Sequence, residues 1–201
     1  MNGNYIFCIK DEHDKKFKIS EVLREIVPNC HIINIDFQTR GALETVLHAK
    51  SLIDNDEDLL ISDADHYLDW DSKLFQNHII PQDIDSCAMI FPEPRYEEKS
   101  SYIELDTNGY VKRSAEKSRI SSTALVGLHY FKRGSDFVRF ANEIISNNIT
   151  AKNEFYLSLI YNMYAKYGKK VITYPIRKMW PLGDPDEIQS FKNHFSKNKP
   201  Q

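Results

Sequence analysis

Two aspartates, Asp63 and Asp65 in Leu59-Leu60-Ile61-Ser62-Asp63-Ala64-Asp65-His66, are the residues of this chain best placed to do chemistry. Residues two apart on a strand share a face, so both carboxylates can reach one hard cation and, through it, a nucleotide's phosphates. The run Leu59-Leu60-Ile61 is too short for a buried helix and suits a strand covered on both faces. In an open α/β sheet, ligands lie beyond the carboxyl ends of the strands, which is where this pair falls. A strand-end turn with solvated aspartates would carry the same spacing, and Asp-x-Asp alone does not separate the two.

Four other groups carry potential chemistry. Gln38-Thr39-Arg40-Gly41-Ala42 stands just before a helical pattern. A helix start offers free N–H groups and a positive dipole end, and Gly41 permits close approach of a ligand. Thr39 would equally serve as a plain N-cap. Glu116-Lys117 pairs an acid with an amine at a strand end, where the amine can hold a phosphate and the acid a hydroxyl. An exposed ion pair on a loop would look the same. Glu154, in Asn153-Glu154-Phe155-Tyr156, is expected in the first turn of a helix, a place the macrodipole favours for any acid. Asp184 with Glu187 three residues later forms a capping-box pattern that needs no function. The seven histidines show no metal-ligand spacing. His66 either contacts a phosphate or sits exposed on a loop. No G-x-S-x-G, Walker A or Cys-x-x-Cys pattern is present.

The elements that must position these groups alternate. Strands are predicted at residues 5–9, 31–35, 59–61, 87–91, 123–131 and 169–176, with a hairpin of residues 101–105 and 110–112 around Asn108-Gly109, the strongest short turn signal. Helices are predicted at 19–27, 39–53, 70–80, 135–146 and 153–167, and after Asp184 with Pro185 in the first turn. The alternation argues for an α/β fold with parallel strands, changing after residue 100 to a mixed sheet. There is no repeat, low-complexity tract or linker, so residues 1–195 are expected to form one domain and 196–201 a loose polar tail.

The chain has 201 residues and a net charge of -3, so no basic field advertises nucleic acid. No apolar run approaches the roughly 20 residues of a membrane span. The start lacks a signal-peptide pattern, and three widely spaced cysteines, Cys8, Cys30 and Cys87, suit buried thiols in a reducing compartment. A cytoplasmic location is expected.

In their order along the chain these pieces resemble the sugar-1-phosphate nucleotidyltransferase family, particularly its short members of capsule and surface-polysaccharide type. Thr39-Arg40-Gly41-Ala42 is similar to the family's base-side loop, Leu60 to Asp65 to its metal strand, and Ser101 to Val111 to its hairpin. Glu116-Lys117, Val126-Gly127-Leu128-His129-Tyr130-Phe131, Glu154-Phe155-Tyr156 and Leu182-Gly183-Asp184-Pro185-Asp186 follow in sequence. The resemblance implies a Rossmann-like, glycosyltransferase-A-type α/β/α sandwich with a mixed, mostly parallel sheet. It implies transfer of a nucleotidyl group from CTP, UTP or dTTP to a sugar-1-phosphate or related phosphate, releasing pyrophosphate, with room for a homo-oligomer. By the same resemblance Asp65 and Asp63 would hold Mg²⁺, with Asp184 as a further ligand. Thr39, Gly41, Ala42 and Asp63 would bind the nucleotide. Lys117 would hold the acceptor's phosphate, and Glu116, Gly127 and Glu154 would line its sugar.

The family's opening glycine-rich loop has no counterpart here, so roughly 40 to 60 residues, the size of one βαβ unit and its loops, are expected to be missing. Pro181 stands where many members carry a metal aspartate. Two other functions fit these departures: a non-catalytic remnant or partner that binds a nucleotide-sugar, and a small glycosyltransferase using Asp63-Ala64-Asp65.

Overall fold

A computed structural model describes residues 3–92 and 100–197. The described elements are β1 (Ile6–Lys10), α1 (Asp11–Phe17), α2 (Ile19–Ile26), β2 (His31–Ile35), α3 (Ala42–Leu47), α4 (Lys50–Ile53), β3 (Leu59–Ser62), β4 (His66–Asp69), α5 (Ser72–Ile79), β5 (Ser86–Pro92), β6 (Ser101–Leu105), β7 (Val111–Glu116), β8 (Thr123–Phe131), α6 (Gly134–Ser146), a 3-10 turn (Leu157–Leu159), α7 (Ile160–Lys166), β9 (Val171–Pro175), β10 (Lys178–Pro181) and α8 (Pro185–Lys197). The backbone divides into two units, Met1–Glu57 with Arg133–Ile160, and Asp58–Lys132 with Tyr161–Gln201.

In the first unit β1 and β2 pair in parallel through α1 and α2. The helix α1 was not expected, because Asp11-Glu12-His13-Asp14-Lys15-Lys16 has no apolar period. It is held instead by acids in its first turn and lysines in its last. Lys18, at φ 55, ends it, and the Asp14 carboxylate accepts the Ser20 N–H at 2.7 Å to start α2.

The single helix expected over 39–53 is two short ones. Gly41, at φ 139, cannot be helical, so α3 begins at Ala42. Bonds from the N–H groups of His48 and Ala49 to the carbonyls of Thr45 and Val46 then close the turn before α4. The helix α6 buries Phe137, Val138, Phe140, Ala141 and Ile144 at helical spacing. Its first residue, Gly134, touches the end of α4: a Cβ there would lie 1.9 Å from the Ile53 carbonyl oxygen. Gly134→Ala must therefore push two backbones apart, and a loss of about 2 kcal/mol is expected from overpacking of this kind. A fall in the urea midpoint at unchanged slope would show it, and an unchanged midpoint would contradict it.

In the second unit the six-stranded sheet runs β7-β6-β8-β5-β9, with β3 also on β8. It is mixed, as expected, but not mostly parallel. Only β5–β9 is parallel, and the β3–β8, β5–β8, β6–β7 and β6–β8 pairs are antiparallel. Consecutive βα segments suggest parallel crossovers, whereas here β8 runs back between β5 on one side and β3 and β6 on the other. The strand β3 is not covered on both faces either: Ile61 is buried, but Leu60 is 36% exposed. A short second sheet of β4 and β10, not foreseen, pairs His66 with Pro181 and Asp69 with Lys178.

Between α5 and the sheet lies a core of Phe75, Ile79, Met89, Val126, Leu128 and Ile172, with Cys87 among them. Burial pushes the Cys87 thiol up to about 12, so it is an inert core residue. The helix α8 continues through Ser196 to Lys197, and the rest of the expected loose tail lies outside the described residues.

On β8, His129 is buried with Nδ1 2.8 Å from the Tyr161 hydroxyl. Burial pushes its pKa down to about 4. Between about pH 6.5 and this value the unfolded chain holds a proton on His129 that the folded chain does not. Its contribution is thus full above pH 6.5 and is lost as pH falls, by roughly 1 kcal/mol per pH unit. Unfolding of wild type and His129→Gln across this range is expected to show a shallower acid loss in the variant. Parallel curves would contradict this.

Candidate functional site

The site is built where β3 leaves β8. Their pairing ends at Ser62 and Leu128, and the Asp63 N–H then donates to the Gly127 carbonyl at 2.8 Å. Against β5 the register of β8 shifts between Ala88 and Ile90, so β8 bulges around Gly127. Gly127 adopts φ 69, a conformation that favours glycine. It is also pressed on Asp63, since a Cβ there would lie 2.3 Å from Oδ2. The one glycine in the apolar run of β8 thus makes both the bulge and the seat for the carboxylate.

Asp63, Asp65 and His66 each offer a ligand atom, all within 4.8 Å of one another. Burial pushes the Asp63 carboxyl up to about 6, and the charges of Asp65 and Glu116 push the same way, while His66 opposes them. Three acids around one half-buried point favour a proton or a cation there. Asp65 itself is mostly exposed, and its Oδ1 lies 3.1 Å from His66 Nδ1. That approach is not aligned as a hydrogen bond, and Nδ1 is buried with no hydrogen-bond partner among the described residues.

The closing segment comes to the same place. Leu182 N–H donates to the Asp65 carbonyl at 2.7 Å, and a Cβ on Gly183 would be 3.7 Å from Asp65 Oδ2. The Asp184 carboxylate is used otherwise: it accepts the Glu187 N–H at 2.9 Å, while Glu187 Oε2 accepts from Gly183 and Asp184. The capping box forms as expected, and Asp184 is not in the group of ligand atoms.

Glu116 ends β7 and is buried, with the Ser101 hydroxyl of the paired strand donating to its carboxylate. Lys117 follows at φ 50, uncommon for a lysine, with its N–H on the Ser100 carbonyl at 3.0 Å. Asp63, Asp65, His66, Glu116 and Gly127 therefore share one corner of the second unit.

In the first unit the loop Thr39-Arg40-Gly41-Ala42 is strapped to Phe155. Phe155 N–H donates to the Arg40 carbonyl at 2.8 Å, Leu43 N–H donates to the Phe155 carbonyl at 3.0 Å, and the Arg40 guanidinium lies 4.6 Å from the Phe155 ring centroid. A Cβ on Gly41 would be 2.5 Å from the Phe155 carbonyl oxygen. The close approach that Gly41 permits is thus made by this chain's own backbone. The N-cap position belongs to Gly41, and the Thr39 hydroxyl pairs with that of Thr45 at 2.7 Å. Glu154 is exposed and does not begin a helix. Lys152 and Asn153, at φ 48 and 65, turn the chain so that Ala151 and Glu154 bridge each other, and helix resumes only at Leu157.

Two residues of the corner carried little sequence signal. His66 heads a strand of four residues that has no apolar alternation, and Ser101 is tied to Glu116 only by strand register.

No protein-family model matches the chain, and no curated protein matches it by sequence. Solved structures share its fold. A nucleoside-diphosphate-sugar pyrophosphorylase from Vibrio cholerae RC9 is similar with a TM-score of 0.80 at 20% identity, over 96% of this chain and 81% of that one. A protein from Bacillus anthracis assigned as a glucose-1-phosphate thymidylyltransferase, solved with a sucrose, gives 0.73 at 12% identity, over 98% and 77%. A UDP-glucose pyrophosphorylase solved with UDP-glucose gives 0.68 at 20% identity, over 92% and 73%. At these identities the likeness establishes the fold, α/β with a mixed sheet.

Proposed function

We propose that the chain is a nucleotidyltransferase that moves a nucleotidyl group from CTP, UTP or dTTP to a sugar-1-phosphate or related phosphate. Pyrophosphate leaves, and the product serves capsular or other surface-polysaccharide assembly in the cytoplasm. The observation that carries this reading is the corner of Asp63, Asp65 and His66, with ligand atoms within 4.8 Å of one another at a strand's carboxyl end. Its support is a fold shared with structures described as pyrophosphorylases.

In this reaction an acceptor phosphate oxygen forms a bond to the α-phosphorus. The bond from that phosphorus to the bridging oxygen breaks, and pyrophosphate carries away the electron pair. Alignment and charge neutralisation supply most of the acceleration. Asp65 and Asp63 would hold the divalent cation, with Mg²⁺ the default for carboxylate donors. When bound, such a cation neutralises phosphate charge. Only a glycine at 127 leaves room for the Asp63 carboxylate where it lies. Lys117 would offer its ammonium to the acceptor phosphate, and Glu116, fixed by Ser101, would accept from the acceptor's hydroxyls, with Gly127 beside its sugar.

The test is pyrophosphate release from each NTP with a panel of sugar-1-phosphates and related phosphates, with and without a divalent cation. Release that needs one NTP, one acceptor class and the cation is expected. Hydrolysis of a nucleotide-sugar with no pyrophosphate from any pairing would overturn the proposal in favour of glycosyl transfer at Asp63-Ala64-Asp65.

A further inference from the structure

The residue completing the Asp63–Asp65 corner is an imidazole, and this bears on which cation the corner selects. We infer that His66 Nδ1 is a direct ligand, so that Asp63, Asp65 and His66 form a mixed nitrogen–oxygen site that takes Mn²⁺ ahead of Mg²⁺. The inference rests on reading this corner as the cation site, not on nucleotidyl transfer.

Three observations carry it. First, His66 Nδ1 is a buried polar atom with no hydrogen-bond partner among the described residues, although it lies 3.1 Å from Asp65 Oδ1. A histidine kept only as an ion-pair partner would align an N–H on that oxygen; here two potential donors to a metal stand side by side. Second, the ligand atoms of all three residues lie within 4.8 Å of one another. A divalent cation bound at about 2.0–2.2 Å keeps its donors within about 4.4 Å of each other, so only a small side-chain adjustment is needed. Third, the Glu116 carboxylate of the same corner takes the Ser101 hydroxyl, and the strand beside His66 adds no competing donor. Gly127 leaves Asp63 lying where any Cβ would strike it at 2.3 Å. The ladder of β4 with β10 fixes the His66 backbone opposite Pro181, which offers no side-chain donor. Beyond Pro181, Leu182 and Gly183 offer none either, and Asp184 caps α8.

An imidazole changes selectivity because Mg²⁺ strongly prefers oxygen ligands, whereas first-row transition cations bind nitrogen well. Mn²⁺ shares the octahedral preference and charge of Mg²⁺, so comparing the two isolates the contribution of the nitrogen.

The experiment is a titration of the whole chain with Mn²⁺, followed by electron paramagnetic resonance and by competition with Mg²⁺, for wild type and His66→Gln. Mn²⁺ is expected to bind at least about tenfold more tightly than Mg²⁺, and pulsed spectra should show a nitrogen hyperfine coupling. In His66→Gln the coupling should vanish and Mn²⁺ affinity fall by about tenfold, while Mg²⁺ affinity stays within about twofold. The pulsed spectrum of the wild type stands independently of how the variant folds. Equal binding of the two cations without nitrogen coupling would overturn the histidine ligand and leave a carboxylate site intact. Failure of the folded protein to bind either cation would overturn this inference together with the cation site of the proposed function.

Discussion

Asp65→Ala is expected to lower pyrophosphate release by about a hundredfold to a thousandfold, the scale on which loss of a group stabilising transition-state charge is felt. The effect should fall on catalysis and not on the fold. The Asp65 side chain is 59% exposed, and its charge is one of the causes that push the Asp63 carboxyl up. Removing it relieves repulsion, and the buried His66 Nδ1 beside it has no hydrogen bond among the described residues to lose, so the unfolding midpoint should move by no more than about 0.5 kcal/mol equivalent. Steady-state assays beside urea unfolding separate the two effects. Activity within about tenfold of wild type would contradict this role for the corner.

Gly127→Ala is expected to damage fold and site together. Its φ of 69 makes an L side chain strained whatever space is available, and the added Cβ would meet Asp63 Oδ2 at 2.3 Å and Cγ at 2.9 Å. The left-handed conformation costs about 1–2 kcal/mol for an alanine. With displacement of Asp63 a total near 3 kcal/mol is expected. Gly109 supplies the control: its φ is 83 but nothing lies within 4 Å of its Cβ position, so Gly109→Ala should show the conformational cost alone. The difference between the two urea midpoints then measures the seat beneath Asp63, and cation affinity should fall only in Gly127→Ala. Equal losses in both variants would show that the contact with Asp63 contributes nothing.

What could be read from the sequence was local. The strand β8 falls on residues 123–131 because a mostly apolar nine-residue stretch rich in Leu, Val, Tyr and Phe suits a buried strand, and Asn108-Gly109 places the β6–β7 turn. The capping box forms because Asp184 and Glu187 need only each other. The end of β3 at the acidic pair was legible for the same reason. What escaped depends on distant partners. Helical periodicity runs across Gly41 and His48 without marking the breaks that the strap to Phe155 and the turn closure impose. Nothing in His66-Tyr67-Leu68-Asp69 or Lys178-Met179-Trp180-Pro181 announces that these two stretches pair. Asp63 and Gly127 were each singled out, but their contact is set by the antiparallel register of β3 on β8, which alternating strands and helices misstate as parallel. In the sequence His66 reads either as a phosphate contact or as an exposed loop residue, because its partial burial comes from that ladder.

The most direct test of nucleotidyl transfer by this chain is calorimetric titration of the 201-residue protein with CTP, UTP, dTTP and GTP, with and without a divalent cation. Binding of CTP, UTP or dTTP that needs the cation and disappears on chelation is the predicted result. A protein shown folded by circular dichroism that binds no NTP under any of these conditions would contradict it.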